Sequence, residues 1–223
     1  MRNLSQKVTE RLQRIANVLL LNASFIDNTG LLNGKFGIAI FFYHYGRYSN
    51  NIIYTEYAGE LIDEIYEEIN TNTPVDFANG LAGIGWGTEY LVRNGFLDAD
   101  TDETLAEIDK TLYRSFSSNP FRIENGKDLF DYGLYIGARI HHSGKDDDSL
   151  NNQIKREHIN SIIDQCEKLF VNKRYLEFNI HQLSVSTINS FLWFLLEMDR
   201  LEMFPSKVRK ILRYLPDCIS QPP

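Results

Sequence analysis

Apolar residues recur along the chain at spacings of three and four, with charged residues between them. Leu61, Ile62, Ile65 and Ile69 share one face of a segment whose other face carries acidic side chains, the pattern of an amphipathic helix packed on a core. The same spacing predicts three further amphipathic helices, which carry Val8, Leu12, Ile15, Leu19 and Leu20; Leu105, Ile108, Leu112 and Phe116; and Ile154, Ile159, Ile162, Ile163, Cys166, Leu169 and Phe170. Alternation with a period of two is scarce, so we predict an all-α fold.

Between these helices lie segments that resemble one another. Asn33-Gly34 opens one copy and Asn79-Gly80 the next; both read Asn-Gly-x-x-Gly-Ile, at an offset of 46 (34 to 80). A weaker copy surrounds Gly133, and a fourth, which has lost its glycines, begins at Leu183. The predicted glycine-marked repeats lie near residues 30–46, 77–92, 131–142 and 183–198.

The alternation of charged helices with apolar, glycine-marked segments predicts two layers of helices. Each charged helix faces water on one side and belongs to an outer layer, whereas each apolar helix is surrounded by partners and belongs to an inner one. We predict about four helical hairpins in a single domain over residues 1–223, because no turn segment is long enough to be a domain linker. The favoured explanation of the repeated glycines is tight packing of the inner helices, and the alternative is a ligand or anion near open backbone N–H groups.

Charge and cysteine content narrow the classes of function. The chain carries 23 Lys and Arg against 30 Asp and Glu, a net charge of −7, without a basic patch that would neutralise phosphates, so we predict no nucleic-acid partner. No apolar stretch approaches the length of a membrane span, so we predict no membrane partner. Cys166 and Cys218 are too few for a disulfide framework, which favours a reducing compartment and a cytoplasmic location.

The two strongest copies carry a resemblance to a known family. Residues 30–39 and 77–86 resemble the glycine-marked inner helices of lanthionine synthetase C-like (LanC-like) proteins, and the resemblance extends over roughly residues 25–145. It implies an alpha/alpha toroid, in which an outer ring of helices surrounds an inner ring. With room for about four hairpins, this chain is expected to be a partial or reduced toroid-like array. A truncated ring would expose the apolar surface of inner helices, which makes a homo-oligomer an expected partner state.

The resemblance also identifies what this chain lacks. Family members with cyclase activity add cysteine thiols to dehydrated Ser or Thr residues of a precursor peptide, with a zinc ion held in Trp-Cys-x-Gly and Cys-His-Gly motifs. Here Trp86 is followed by Gly87 and Trp193 by Phe194, and no Cys-His pair exists. Because the metal activates the attacking thiolate, we predict no metal site and no cofactor, and we do not extend cyclase activity to this chain.

Candidate site residues come from charged and aromatic groups on the inner helices. Asp76, Glu89, Asp131 and His141 are weak catalytic candidates, although helix capping is the favoured role of Asp76 and Asp131. In the aromatic run 41–48, Phe41 and Tyr45 are expected to face the core. The residues predicted to bind a partner are Tyr43, Arg47, Trp86, Glu89 and Arg139, the last two as a possible buried ion pair.

The leading hypothesis is a non-catalytic, LanC-like accessory protein for the biosynthesis of a modified peptide. It would bind a precursor peptide or a maturation enzyme, and this link to peptide modification depends on the resemblance. One alternative is a zinc-independent enzyme with a central carboxylate site, acting on a peptide or a glycan. A second alternative is a lanthionine cyclase whose zinc ligands come partly from another chain.

Overall fold

A computed structural model describes residues 4–118, 126–143, 149–170 and 184–220 of the chain. These residues contain helices and no strand, which confirms the all-α prediction. The helices are α1 (Leu4–Asn22), α2 (Lys35–Ser49), α3 (Ile52–Glu68), α4 (Leu81–Arg93), α5 (Thr101–Thr104), α6 (Ala106–Ser118), α7 (Gly126–Ser143), α8 (Leu150–Phe170), α9 (Val185–Arg200) and α10 (Pro205–Ser220), with one 3₁₀ turn at Ala23–Phe25.

The helices form two compact units, residues 1–105 and residues 106–223. The first unit contains α1 to α5 and the second contains α6 to α10. The prediction of one domain over the whole chain stays a prediction. Among the residues described, no helix combines the length and the apolar character needed to cross a membrane.

Burial separates the helices into the two predicted kinds. In α7 every residue from 129 to 140 is buried, and α4 is buried on most of its surface. In α1, by contrast, Ala16 is the one buried residue among the side chains described. The predicted inner segments therefore correspond to α2, α4, α7 and α9, and each follows an outer helix in the chain.

The turn between α2 and α3 shows how local sequence sets these boundaries. Asn50 adopts the left-handed conformation with φ of 52°, and its N–H bonds to the carbonyl of Gly46. Asparagine tolerates that conformation better than most residues because its short side chain bonds locally. Asn51 then caps α3 by accepting a hydrogen bond from the N–H of Ile53 at 3.1 Å. The Asn-Asn turn signal thus ends one helix and starts the next.

The two Asn-Gly copies have the same backbone geometry. The first N–H of α2, on Lys35, bonds to the carbonyl of Asn28 at 2.8 Å, and the first N–H of α4, on Leu81, bonds to the carbonyl of Pro74 at 2.8 Å. A Cβ on the residue before each helix would lie 2.2 Å and 2.0 Å from those same two carbonyl oxygens. Glycine is required there because the preceding loop folds back against the helix start, which leaves no room for a side chain.

Residues at equivalent places in the two copies also touch one another. The N–H of Leu32 bonds to the carbonyl of Ala78 at 2.9 Å, and the amide of Asn33 donates to Oδ1 of Asn79 at 3.0 Å. Both pairs are separated by 46 residues in sequence (32 to 78 and 33 to 79), the offset of the repeat. The first two repeats therefore lie side by side in register.

The glycines of the second unit have a different role. Gly133 lies well inside α7, which begins at Gly126, so the third copy does not mark the start of its helix. A Cβ on Gly133 would lie 2.6 Å from the ring of Phe194, and one on Gly137 would lie 2.7 Å from Cε of Met198. Both partners belong to α9, so these glycines let two inner helices approach closely, as the favoured explanation predicts.

Candidate functional site

A continuous row of aromatic rings runs along one side of the first unit. It joins the loop before α4, the two inner helices α2 and α4, and the segment that follows α4. We call this row, which ends in a guanidinium group, the aromatic strip. Its members are Phe77, Trp86, Tyr90, His44, Phe96 and Arg47.

One half of the aromatic strip is built on α4. Trp86 and Tyr90 are one helical turn apart, and their rings stack at 5.5 Å with 14° between their planes. Phe77 meets Trp86 edge to face at 5.7 Å. Phe77 is buried, whereas Trp86 and Tyr90 are half-buried, so a firm apolar base supports two rings that keep accessible surface.

The other half is built on α2. His44 Nε2 and the Tyr90 hydroxyl share a hydrogen bond of 2.7 Å, and the rings of His44 and Phe96 lie 4.7 Å apart. Burial, followed by the charge of Arg47, lowers the pKa of His44, and both effects favour the neutral ring. His44 and Tyr90 are again 46 residues apart (44 to 90), so they are repeat equivalents in contact.

The charged end of the aromatic strip is held firmly. The guanidinium of Arg47 lies 3.7 Å above the ring of Phe96 and donates to the carbonyls of Asn94 at 3.0 Å and Gly95 at 3.2 Å. The side chain remains exposed. Stacking and two hydrogen bonds fix its direction, so the group presents an oriented cation beside aromatic faces.

The remaining aromatic predictions have mixed outcomes. Tyr45 is buried, as expected, while Phe41 is half-buried. Tyr43, predicted to line a binding surface, is only 3% exposed and packs against Phe96 at 5.4 Å. It therefore supports the strip from beneath rather than forming its surface.

The acidic candidates of the first unit occupy separate environments. Asp76 Oδ1 accepts from the N–H groups of Ala78 at 2.9 Å and Asn79 at 3.0 Å. It caps the turn that leads into α4, whose own N-cap is Gly80. Glu89 is buried in α4, at 3% exposure.

The candidates of the second unit are buried in helix α7. Asp131 is the sixth residue of α7 rather than a helix cap, because the helix starts at Gly126, and it accepts a hydrogen bond from the hydroxyl of Ser190 at 2.9 Å. Arg139 is fully buried and forms an ion pair with Asp109, with 2.9 Å between Nη2 and Oδ2. The Glu89–Arg139 pair stays a prediction, and the side chain of His141 lies outside the described residues.

The described side chains do not fit the zinc site that the resemblance implies. No group of three or more His, Cys, Asp or Glu that could hold a metal ion occurs within the described ranges. Cys166 is fully buried in α8, and burial raises the pKa of its thiol well above the usual value. A thiol in such an apolar environment is a poor nucleophile.

A polar cleft lies between the loops that precede the inner helices α2 and α4. Its volume is about 570 Å³. Four of its nine lining residues are asparagines. Two of these already hold the loops together, because the amide of Asn28 donates to Oδ1 of Asn79 at 2.9 Å. Its lining residues are Asp27, Asn28, Thr29, Glu68, Asn70, Asn72, Thr73, Pro74 and Asn79.

Sequence reasoning found Trp86 and Arg47 but missed the residues that connect them. Tyr90, His44 and Phe96 complete the aromatic strip, and none of the three is among the predicted site residues. The repeat offset was the signal that could have found the His44–Tyr90 contact, because equivalent residues of neighbouring repeats lie side by side.

Comparison with known proteins agrees with this fold. The family model of the lanthionine synthetase C-like proteins matches residues 24–170, more than half of the chain. Comparisons with curated proteins and with solved structures gave no match. The matched range contains both Asn-Gly copies, the aromatic strip and α6 to α8. The chain therefore belongs to the lanthionine synthetase C-like family.

Proposed function

We propose that this protein is a metal-free, non-catalytic member of its family that binds a peptide segment on the aromatic strip. The peptide would be a precursor undergoing modification or a segment of a maturation enzyme, in the cytoplasm. The observation that carries the proposal is the unbroken contact from Trp86 through Tyr90, His44 and Phe96 to Arg47.

The chemistry of the aromatic strip suits an extended peptide. Half-buried aromatic rings stack on proline, on other rings and on peptide planes, and they lose little conformational entropy when they bind. The oriented guanidinium of Arg47 can donate hydrogen bonds from its Nε and Nη1 groups to a carboxylate of the same peptide. The ring of His44, which shares a hydrogen bond with the Tyr90 hydroxyl, adds a polar group between the two rings of Tyr90 and Phe96.

The residues at the positions of the family's zinc ligands argue against a zinc-dependent cyclase. The residue after Trp86 is Gly87 and the residue after Trp193 is Phe194, so neither tryptophan is followed by a cysteine ligand. Cys166 is buried inside α8. Activation of a peptide thiol by zinc requires thiolate or imidazole ligands around an open coordination position, and this proposal includes no such step.

Selection of binding peptides tests the proposal directly. Random linear peptides displayed on phage would be selected on the immobilised full chain, and affinities of the selected peptides would be measured by fluorescence anisotropy. Trp86→Ala and Arg47→Ala should each weaken binding by about tenfold or more, the effect of removing an interface anchor. The matched control is Tyr214→Ala, which removes an exposed aromatic ring from α10 in the other unit and should leave affinity unchanged.

Three outcomes would overturn this function. Selected peptides that bind Trp86→Ala and Arg47→Ala as tightly as the parent protein would place binding elsewhere. Turnover of a selected peptide by the purified chain would favour the zinc-independent enzyme. A zinc-dependent complex with a second protein, lost on treatment with a chelator, would favour a cyclase completed by another chain.

A further inference from the structure

The amino-terminal helix carries large apolar side chains that face water. The sequence pattern predicted Val8, Ile15 and Leu20 on the apolar face of an amphipathic helix, but these residues are 38 to 47% exposed. The most exposed apolar group extends from α1 through the following turn to the loop before α2, and we call it the α1 face. Its exposure runs from 47 to 81%, and its members are Ile15, Val18, Leu21, Phe25 and Leu32. Exposed apolar residues clustered in this way are typical of an interaction site.

The second repeat provides an internal reference for the α1 face. Helix α3 occupies the place of α1, since the last residues of the two helices lie at the repeat offset of 46 (22 to 68). Val18 and Leu21 correspond to Glu64 and Glu67 (18 to 64 and 21 to 67), which are exposed. Where these positions face water in the second repeat they carry charges, so their apolar character in the first repeat favours a surface that a partner covers.

A groove opens beside the α1 face. It has a volume of about 300 Å³ and lies around Gly37, near the start of α2. Its walls come from α1, the turn after α1, the loop before α2 and α2 itself, and their apolar members are Leu19, Ile26, Leu32, Ile38 and Phe41.

The second repeat shows that this groove lacks a cover which its counterpart has. Gly37 corresponds to Gly83 (37 to 83), and both lie against the turn before their helix: a Cβ would be 2.3 Å from the carbonyl oxygen of Leu31 and 1.9 Å from that of Phe77. A Cβ on Gly83 would also lie 2.9 Å from Cβ of Leu31, which belongs to the preceding repeat. At Gly37, no side chain beyond those of its chain neighbours lies within 4 Å of that position in the described part of the chain. The groove is therefore open where its counterpart holds an apolar side chain.

The α1 face has a projecting part as well as this receiving part. The ring of Phe25 is 81% exposed, the highest exposure in the group, and its chain neighbour Ile26 lines the groove. A surface that carries both a projecting ring and an open apolar groove can pair with itself about a two-fold axis. Two-fold symmetry is the commonest symmetry of protein dimers.

The charges along α1 give such a pair its direction. The amino-terminal half of α1 carries three exposed cations and one half-buried acid, which are Lys7, Arg11, Arg14 and Glu10. Residues 15–25 carry no charge, and the exposed Asp27 follows them. A parallel pair would place the cations side by side. An antiparallel pair that overlaps residues 15–25 fully has its midpoint at residue 20, so position 14 of one copy lies opposite position 26 of the other and Arg14 comes beside Asp27.

We propose that the α1 face and its groove form an antiparallel, two-fold interface with a second copy of this chain. Residues 15–25 of the two copies pack on each other, and Phe25 of each copy enters the groove of the other. Arg14 of each copy pairs with Asp27 of the other. The contact is isologous, so association stops at the dimer. This interface is independent of the peptide binding proposed for the aromatic strip.

Sedimentation of purified full-length chain over a range of concentrations tests the interface. The parent protein should form dimers, and no larger species, at micromolar concentration. The double variant Val18→Glu, Leu21→Glu should have a dissociation constant raised about thirtyfold or more. The second repeat carries glutamate at both positions, so this variant should keep its helical circular dichroism. Leu150→Glu, at an exposed apolar residue of α8, is the control that should dimerise like the parent.

Charge reversal tests the antiparallel direction. Arg14→Glu alone and Asp27→Lys alone should each weaken the dimer about tenfold, because each places two pairs of like charges across the interface. The two substitutions in one chain should restore the affinity of the parent to within about twofold, since opposite charges face each other again. In a parallel pair the combined variant would still bring like charges together at position 14.

Three results would overturn the proposal. The first is a parent protein that stays monomeric throughout the concentration range, and the second is a Val18→Glu, Leu21→Glu protein that dimerises as tightly as the parent. The third is a parent that grows beyond the dimer, which would require two different surfaces to meet. A combined charge variant as weak as the single ones would overturn the antiparallel pairing of Arg14 with Asp27.

Discussion

Replacement of Gly83 by alanine should destabilise the first unit more than a helical Gly→Ala change elsewhere in it. The new Cβ would lie 1.9 Å from the carbonyl oxygen of Phe77 and 2.9 Å from Cβ of Leu31. The first neighbour is backbone in the turn before α4, so no side-chain rotation relieves the clash. Either that turn or α4 must move.

The size of the destabilisation follows from the hydrogen bonds that a movement of the turn before α4 would weaken. The turn is tied by the hydrogen bonds from Leu81 to Pro74 at 2.8 Å and from Leu32 to Ala78 at 2.9 Å. Overpacking costs about 1–3 kcal/mol, two weakened hydrogen bonds cost about 2 kcal/mol together, and alanine returns about 1 kcal/mol of helix propensity. The free energy of unfolding should therefore fall by about 2–4 kcal/mol.

Gly59→Ala is the matched control in α3. Its Cβ would meet only the Tyr43 hydroxyl, at 3.8 Å, so the free energy of unfolding should rise by up to about 1 kcal/mol. Urea unfolding would be followed by the fluorescence of Trp86 in a Trp193→Phe background, which reports on the first unit alone. A Gly83→Ala protein within about 1 kcal/mol of the parent would refute the reasoning from close approach.

Two further predictions concern a buried ion pair and a half-buried histidine of the second unit. Arg139→Met leaves the carboxylate of Asp109 buried without its ion pair, so the free energy of unfolding measured in urea should fall by about 3–5 kcal/mol. The second substitution Asp109→Leu should restore part of that loss. An Arg139→Met protein as stable as the parent would contradict this prediction. Burial lowers the pKa of His158, whose Nδ1 and the Tyr132 hydroxyl share a hydrogen bond of 2.6 Å. The folded state therefore binds a proton at His158 less readily than the unfolded state does. The stability that the neutral His158 ring contributes is complete above the unfolded pKa of about 6.5 and is lost as pH falls below it. Urea titrations from pH 7.5 down to about 5 should show a smaller loss of stability in His158→Gln than in the parent, and equal losses would contradict the assignment.

Much of the fold follows from sequence pattern, with limits that have physical causes. The Asn-Gly-x-x-Gly-Ile motif predicts helix starts correctly at Lys35 and Leu81, because its glycines are required by a loop folded against the helix. The glycines of the third copy, Gly133 and Gly137, are four residues apart rather than three and lie inside α7. They face Phe194 and Met198 of α9 instead of a loop carbonyl, so the changed spacing accompanies a packing site rather than a helix start.

The site was less predictable than the fold because its parts come from different segments. Trp86 and Arg47 stood out as an aromatic residue and a cation on inner helices, but their connection runs through Tyr90, His44 and Phe96. The direction of a side chain also decides whether it lies on the surface, as at Tyr43, which lies beneath the aromatic strip. Arg139 forms its ion pair with Asp109, a residue that belongs to no motif of the sequence. These are properties of packing, and the hydrophobic pattern of one helix does not contain them.

Our central proposal is that this chain has the helical repeats of its family and binds no zinc. The most direct test is the zinc content of tag-free, natively purified full-length protein, measured by elemental mass spectrometry against protein concentration. The account predicts zinc far below one equivalent per chain, both as purified and after incubation with zinc followed by gel filtration. A stable full equivalent would contradict it and would return the cyclase hypothesis to the leading place.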